Sequence, residues 1–110
     1  MGKKTAIIGL AAVTFLVATG AAMALDRHVK IINNSAYDIR EFYASNVGTR
    51  NWEEDILGRD VLPSGYSVNV NIDDRSGYCK YDFRAIFEDG ESVITENVNV
   101  CQIREFTYHD

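Results

Sequence analysis

The stretch SGYCKYDFRAIFEDG constrains the fold more than any other part of this chain. Its aromatic residues Tyr81, Phe83 and Phe87 fall at odd positions and alternate with charged or polar residues. A period of two is typical of a strand with one buried face. The stretch ends in an Asp-Gly dipeptide, which favours a type I′ hairpin turn. It therefore predicts the first strand of a hairpin, with its aromatic side in the core.

The register of this hairpin can be predicted from burial. A two-residue turn at Asp-Gly would make one face mostly apolar. Its facing pairs would be Phe87 with Ser92, Ala85 with Ile94, Phe83 with Glu96, Tyr81 with Val98, and Cys79 with Val100. A slip by one residue would set the aromatic side chains opposite Asn97 and Asn99. The sequence therefore favours the two-residue turn and predicts Ile94 in the core.

Strand patterns dominate the rest of the chain. They lie at 27–33, 38–45, 66–74 and 103–108, and turn-forming residues separate them. The segment NWEEDILG is the exception: Asn51 as N-cap, Glu54 as capping-box residue and Gly58 as stop predict a short helical turn near 52–57. We therefore expect an all-β fold, a small antiparallel β-sandwich of six or seven strands, Ig-like in shape.

The first 24 residues have the pattern of a secretory signal peptide. Two lysines precede an apolar run, and Ala22 and Ala24 form a cleavage motif of small residues. The alternative is a membrane anchor, but the apolar run is short for a membrane span and the cleavage motif closes it. We expect cleavage after Ala24, which leaves a single domain at 25–110 with no membrane span, located in the periplasm or secreted.

Two cysteines, Cys79 and Cys101, lie in this domain. In an oxidising compartment an even pair predicts one disulfide bond. A redox or metal-thiolate site is the alternative, which the absence of a C-x-x-C spacing disfavours. Since Cys79 is predicted to point inward and Cys101 lies one step beyond Val100, the bond requires a bulge or strand end near 100–102.

The charge of the domain restricts its partners. All 16 acidic residues lie within 25–110, but only nine of the 11 basic residues do, which leaves a net charge of −7. Nucleic-acid binding is disfavoured, because neutralising phosphates needs clustered basic residues. An acidic surface attracts cationic proteins or divalent metal ions instead.

No catalytic site, metal site or cofactor is predicted. The chain lacks a nucleophile elbow, an H-E-x-x-H motif and a P-loop. The two histidines, His28 and His109, lie near opposite ends of the domain and would meet only if those ends pair in one sheet. We therefore expect a protein that is not an enzyme.

The segment around the single tryptophan is the candidate partner-binding region. Trp52 is expected either to close one end of the core, which we favour, or to be an exposed binding anchor. The candidate residues are Trp52, Glu53, Glu54, Asp55 and Asp60. We expect an exported, non-enzymatic binding module that engages a cationic protein, for example a cell-wall hydrolase. A calcium- or metal-stabilised module, suggested by the same acids, and a small hydrolase are the alternatives.

A combined motif also suggests a family. It consists of Trp52 and Asp55, Leu57-Gly58, Leu62-Pro63 and Gly65, the series Cys79, Tyr81-Asp82, Arg84, Phe87 and Asp89-Gly90, and finally Asn99-Val100-Cys101. This pattern, which spans most of 25–110, resembles a group of small exported proteins of Gram-negative bacteria. The resemblance implies a periplasmic or secreted β-protein with one disulfide, and it implies no activity and no catalytic residues.

Overall fold

The computed structural model describes residues 4–10 and 25–110, and these form seven strands in two sheets. The strands are β1 (Thr5–Leu10), β2 (His28–Asn34), β3 (Ile39–Asn46), β4 (Ser67–Asn71), β5 (Lys80–Phe87), β6 (Ser92–Asn99) and β7 (Ile103–His109). One sheet has the order β1-β7-β2-β4 and the other β3-β5-β6. All pairs are antiparallel except β2 with β7. The predicted all-β sandwich is confirmed.

The core is a continuous series of aromatic rings between the two sheets. Phe83 of β5 contacts Phe42 of β3 at 5.2 Å and Phe106 of β7 at 4.9 Å, measured between ring centroids. Tyr108 continues the series through Phe106 and packs against Phe87. All five side chains are buried, and most neighbouring ring pairs meet edge to face, the geometry that aromatic quadrupoles prefer. The predicted inner face of β5 is therefore confirmed.

The β5–β6 hairpin differs from its predicted register. Phe87 N donates to Glu91 O at 2.9 Å, which leaves a three-residue loop in which Gly90 has a φ of 89°. Near the loop Ala85 pairs with Val93, and Ile94 is 55% exposed. The predicted two-residue turn and the core position of Ile94 are therefore wrong.

A bulge corrects this shift further along the hairpin. The register changes between Tyr81 and Phe83, so that Tyr81 pairs with Val98 as predicted. Asn97 lies opposite this change with a φ of 57°, and its N–H donates to Asp82 Oδ1 at 3.0 Å. Asparagine tolerates this left-handed backbone better than most residues. The bulge lets both halves of the hairpin keep their apolar side inward.

The disulfide between Cys79 and Cys101 is present, with 5.3 Å between the two Cα atoms. It links the residue before β5 to the connection between β6 and β7. β6 ends at Asn99, and Gln102 N donates to Asn99 O at 3.1 Å in a turn. This strand end brings Cys101 back toward Cys79, as the sequence requires.

A hydrogen-bond network on Asp74 joins the buried Tyr81 to the segment before β5. Tyr81 donates its hydroxyl proton to Asp74 Oδ1 at 2.6 Å, and Asn46 Nδ2 donates to Asp74 Oδ2 at 2.8 Å. Ser76 N donates to Asp74 Oδ1 at 3.0 Å. Desolvation alone would raise the pKa of Asp74, but the hydrogen bonds from Ser76, Tyr81 and Asn46 outweigh it and hold that pKa below its ordinary value.

This network predicts a loss of stability in acid. Because the pKa of Asp74 is lower in the folded than in the unfolded chain, its stabilisation is present above the ordinary carboxyl pKa. It is lost as the pH falls through the folded value. Asp74→Asn should therefore lower the free energy of unfolding at pH 7 by about 1 kcal/mol, a small value because the carboxylate is partly exposed. The difference from wild type should shrink below about pH 4.

Urea unfolding between pH 7 and pH 2 measures this effect. Asp73→Asn is the matched control. Among the described contacts the Asp73 carboxylate accepts only the N–H group of Arg75, and an amide oxygen can replace the carboxylate oxygen there. A gap between wild type and Asp74→Asn that stays constant down to pH 2 would contradict the linkage.

The predicted signal peptide is only partly described. Lys4 is described and Thr5–Leu10 form β1 on the outer edge of β7, whereas the rest of the segment and the predicted cleavage point after Ala24 lie outside the described residues. The six strands predicted within 25–110 are all present as β2 to β7.

Candidate partner-binding surface

The segment 51–60 is not the predicted helical turn. Ile56 N donates to Phe42 O at 2.8 Å, and Asp55 Oδ1 accepts from the N–H groups of Phe42 at 2.8 Å and Leu57 at 3.0 Å. The Asp55 carboxylate thus holds the segment against the outer edge of β3. The predicted capping box would not have used the Asp55 side chain. Covering that edge satisfies backbone groups that would otherwise be open to pairing with another chain.

Trp52 lies over the outer face of the three-stranded sheet. Its ring is 6.3 Å from that of Tyr43, and the Arg84 guanidinium lies 5.9 Å from the Trp52 ring and 5.5 Å from the Tyr43 ring. Tyr43 and Arg84 are paired neighbours, as are Arg84 and Ile94. Trp52 is half-buried and is not part of the core, so the favoured prediction that it closes the core is wrong. We call Tyr43, Trp52, Arg84 and Ile94 the aromatic face.

The polar contacts of the aromatic face fix its geometry. The Tyr43 hydroxyl donates to the Glu41 carboxylate, and this hydrogen bond raises the pKa of Tyr43. Arg84 forms no ion pair within the described residues; its guanidinium is held by the two rings. Cation–π contacts orient the guanidinium without using its N–H groups. Among the described residues Arg84 Nε is buried without a hydrogen-bond partner, so only the terminal N–H groups can reach a bound molecule.

The five candidate partner-binding residues fall into three groups. Glu53 and Glu54 are exposed and follow Trp52 directly, so these three lie together. Asp55 is committed to backbone N–H groups. Asp60 is exposed but lines a separate groove.

This groove, of about 760 Å³, lies between the segment 56–63 and β4. β4 is an edge strand within the part of the chain that the structure describes. Tyr66, which is 65% exposed, lines the groove together with the exposed side chains of Ile56 and Val61. The groove is a second concave surface, and among its residues the sequence interpretation named only Asp60 as a candidate for partner binding.

The sequence interpretation did not include three members of the aromatic face, Tyr43, Arg84 and Ile94, among its candidate partner-binding residues. Ile94 was assigned to the core because the hairpin loop was taken to be one residue shorter. Tyr43 and Arg84 meet only through the β3–β5 register, which depends on a bulge between Ile39 and Glu41. The available signal was the alternation in β5, which predicts an outward Arg84.

The two histidines do not form a pair. His28 begins β2 and His109 ends β7, and because these strands are parallel the two residues lie at opposite ends of the sheet. His28 contacts Asp26 at 2.8 Å, and His109 contacts Thr5 at 2.7 Å. Across the residues described, no three His, Cys, Asp or Glu side chains are grouped as a metal site would need.

Comparison with known proteins gives no relative for this chain. No protein-family model, no curated protein and no solved structure matches it. The structure of residues 4–10 and 25–110 contains no helix with the length and hydrophobicity of a membrane span. The disulfide is compatible with an exported protein, because such bonds persist in oxidising compartments.

Proposed function

We propose that this chain is an exported, non-enzymatic binding module that engages a cationic protein through its aromatic face. The observation that carries the proposal is the stack of Trp52, Arg84 and Tyr43 beside the exposed Ile94. Trp, Tyr and Arg are the residues most enriched among binding hot spots. On this surface they are fixed by mutual contacts, so little side-chain entropy is lost on binding.

The charge of the module supports a basic partner. The net charge of 25–110 is −7, and Glu53 and Glu54, which directly follow Trp52 in the sequence, are exposed. Complementary charge accelerates encounter and selects partners, while buried aromatic contacts supply most of the affinity. A basic cell-wall hydrolase in the periplasm or outside the cell is one partner of this kind.

Binding of lysozyme, a basic cell-wall hydrolase, tests the proposal. The chain is produced with its own leader, purified after export, and titrated with lysozyme by calorimetry. We expect the double variant Trp52→Ala/Glu53→Lys to weaken binding at least tenfold, because it removes the central ring and reverses the charge of the next residue in the sequence.

Tyr66→Ala is the matched control. It removes an exposed ring from the other sheet, beside the groove, and should change the lysozyme affinity less than twofold. If wild type shows no binding, or if it binds no more tightly than the double variant, the proposal is wrong. A loss confined to Tyr66→Ala would place the binding surface at the groove instead.

A further inference from the structure

The first described residues, 4–10, lie against the domain, and the Lys4 side chain is enclosed there. The Lys4 ammonium nitrogen is 3.1 Å from Asp89 Oδ2 and 2.5 Å from Glu91 Oε1. It also lies 4.4 Å from the centroid of the Tyr37 ring and 5.2 Å from that of Phe87. The Lys4 side chain is only 6% exposed. We call the four surrounding residues the lysine pocket.

The lysine pocket has the chemistry of a built ammonium site. Two carboxylates supply charge and hydrogen-bond acceptors, and two rings present their negative faces to the cation. The hydrogen bond to Glu91 is the main cause of a raised Lys4 pKa, which indicates that the site favours the charged form. Its carboxylates lie at the β5–β6 loop, and the Phe87 ring also packs against Tyr108 in the core.

The residues after Lys4 pair with β7 as an added strand. Thr5 lies opposite His109, Ala6 opposite Tyr108, and Gly9 opposite Glu105. Ala6 is half-buried against the core. A Cβ atom at Gly9 would lie 3.1 Å from Glu105 Cβ, so the pairing there requires glycine or a local shift. The site thus accepts a lysine, a small residue two positions later and a glycine three positions after that.

Every residue of β7 and of the lysine pocket lies within 25–110, whereas the strand that occupies them lies within the predicted leader. Removal of the leader, which is part of the proposed function, would vacate the site and leave all the residues that form it in the chain. The outer edge of β7 would then present unpaired backbone groups beside two carboxylates without their cation. Both features favour a new occupant.

We propose that the trimmed protein binds an extended, lysine-containing segment of a partner protein along β7, with the lysine in the lysine pocket. The segment runs antiparallel to β7, as β1 does. Backbone hydrogen bonds to the strand edge provide affinity, and the pocket provides specificity, as in other cases of strand addition. This site is separate from the aromatic face and adds a sequence preference to the cationic partner.

A second copy of the chain fits this edge less well. In the register of β1, Lys4 lies beside Asp110, because Thr5 pairs with His109. An antiparallel β7 of the copy would therefore have to set its Arg104 opposite Asp110 to bring a cation near the pocket. That register would set Phe106 opposite Tyr108 and His109 opposite Glu105. At these two places β1 has Ala6, which packs against the core, and Gly9, where an added Cβ would lie 3.1 Å from Glu105 Cβ. The occupant is therefore a strand with small residues at both positions.

The test uses the chain expressed with its leader and purified after export, with its mass measured. The probe is the peptide KTAIIGL, the sequence of residues 4–10, blocked at both ends so that only its lysine is charged. We expect a mass that corresponds to 25–110 and saturable binding in fluorescence anisotropy. The same peptide with glutamine in place of lysine should bind at least tenfold more weakly, because both carboxylates lose their partner.

Two protein variants serve as controls. Asp89→Asn/Glu91→Gln should bind the lysine and glutamine peptides equally. Its thermal unfolding shows whether the β5–β6 loop is intact in this variant. If the loop is disturbed, the comparison of the two peptides on the wild-type protein still tests the pocket. Trp52→Ala/Glu53→Lys should bind the lysine peptide as wild type does, which separates this site from the proposed function at the aromatic face. A retained leader, equal binding of both peptides by wild type, or a dimer that excludes the peptide would each overturn the proposal.

Discussion

Phe83→Ala is expected to lower the free energy of unfolding by about 3–5 kcal/mol, the range for deleting a buried phenylalanine ring. Phe83 is fully buried, and its ring joins Phe42 within its own sheet to Phe106 of the other sheet. Removing it opens a cavity at the point where the two sheets meet, and the rigid neighbours on both sides can fill it only partly. A domain with about 5–15 kcal/mol of total stability would lose a large share.

Urea unfolding followed by tryptophan fluorescence and circular dichroism measures this loss. Ile94→Ala is the matched control, because Ile94 lies on the neighbouring strand but is 55% exposed, and its loss should be within about 0.5 kcal/mol. Phe83→Leu provides an intermediate value if the alanine variant does not fold. Equal losses for Phe83→Ala and Ile94→Ala would contradict the described register, in which Phe83 is buried and Ile94 is exposed.

The contrast between these two residues shows how far the sequence determines the core. Alternation in β5 is sufficient to predict its buried face, because a strand has only two faces and one of them carries the rings. It does not determine the partner strand: a three-residue loop turns Val93 and Thr95 inward in place of Ile94, and a bulge at Asn97 then returns Val98 to the inner face. The first half of β6 was therefore assigned to the wrong faces, while Val98 was assigned correctly.

The candidate sites depend on contacts that have no local sequence pattern. The sequence NWEEDILG has every feature of a capped helical turn, yet Asp55 binds backbone groups of β3 because that edge is nearby in the fold. In the same way Tyr43 meets Arg84, and Lys4 meets Asp89, only through strand pairing. Such contacts between residues distant in sequence are determined by topology, and the strand order was not predicted.

The disulfide gives the second large effect. Replacing both cysteines, Cys79→Ala/Cys101→Ala, should lower the free energy of unfolding by about 3 kcal/mol. The bond spans a sequence separation of 22, and a closed loop of that length restricts the unfolded chain by about this amount. The folded chain already joins the two regions through the hydrogen bond from Val100 N to Cys79 O at 2.8 Å. The variant should therefore keep the fold and lose stability, with a melting temperature lower by on the order of 15 °C.

Reduction provides the internal control for this prediction. Dithiothreitol should lower the melting temperature of the wild-type protein by a similar amount and leave that of the double variant unchanged, because the variant has no bond to reduce. The anisotropy of bound KTAIIGL peptide should survive reduction at low temperature, since the lysine pocket lies at the other end of β5 from Cys79. If reduction leaves the melting temperature of wild type unchanged, the bond does not stabilise the fold, and the loop-closure argument fails for this chain.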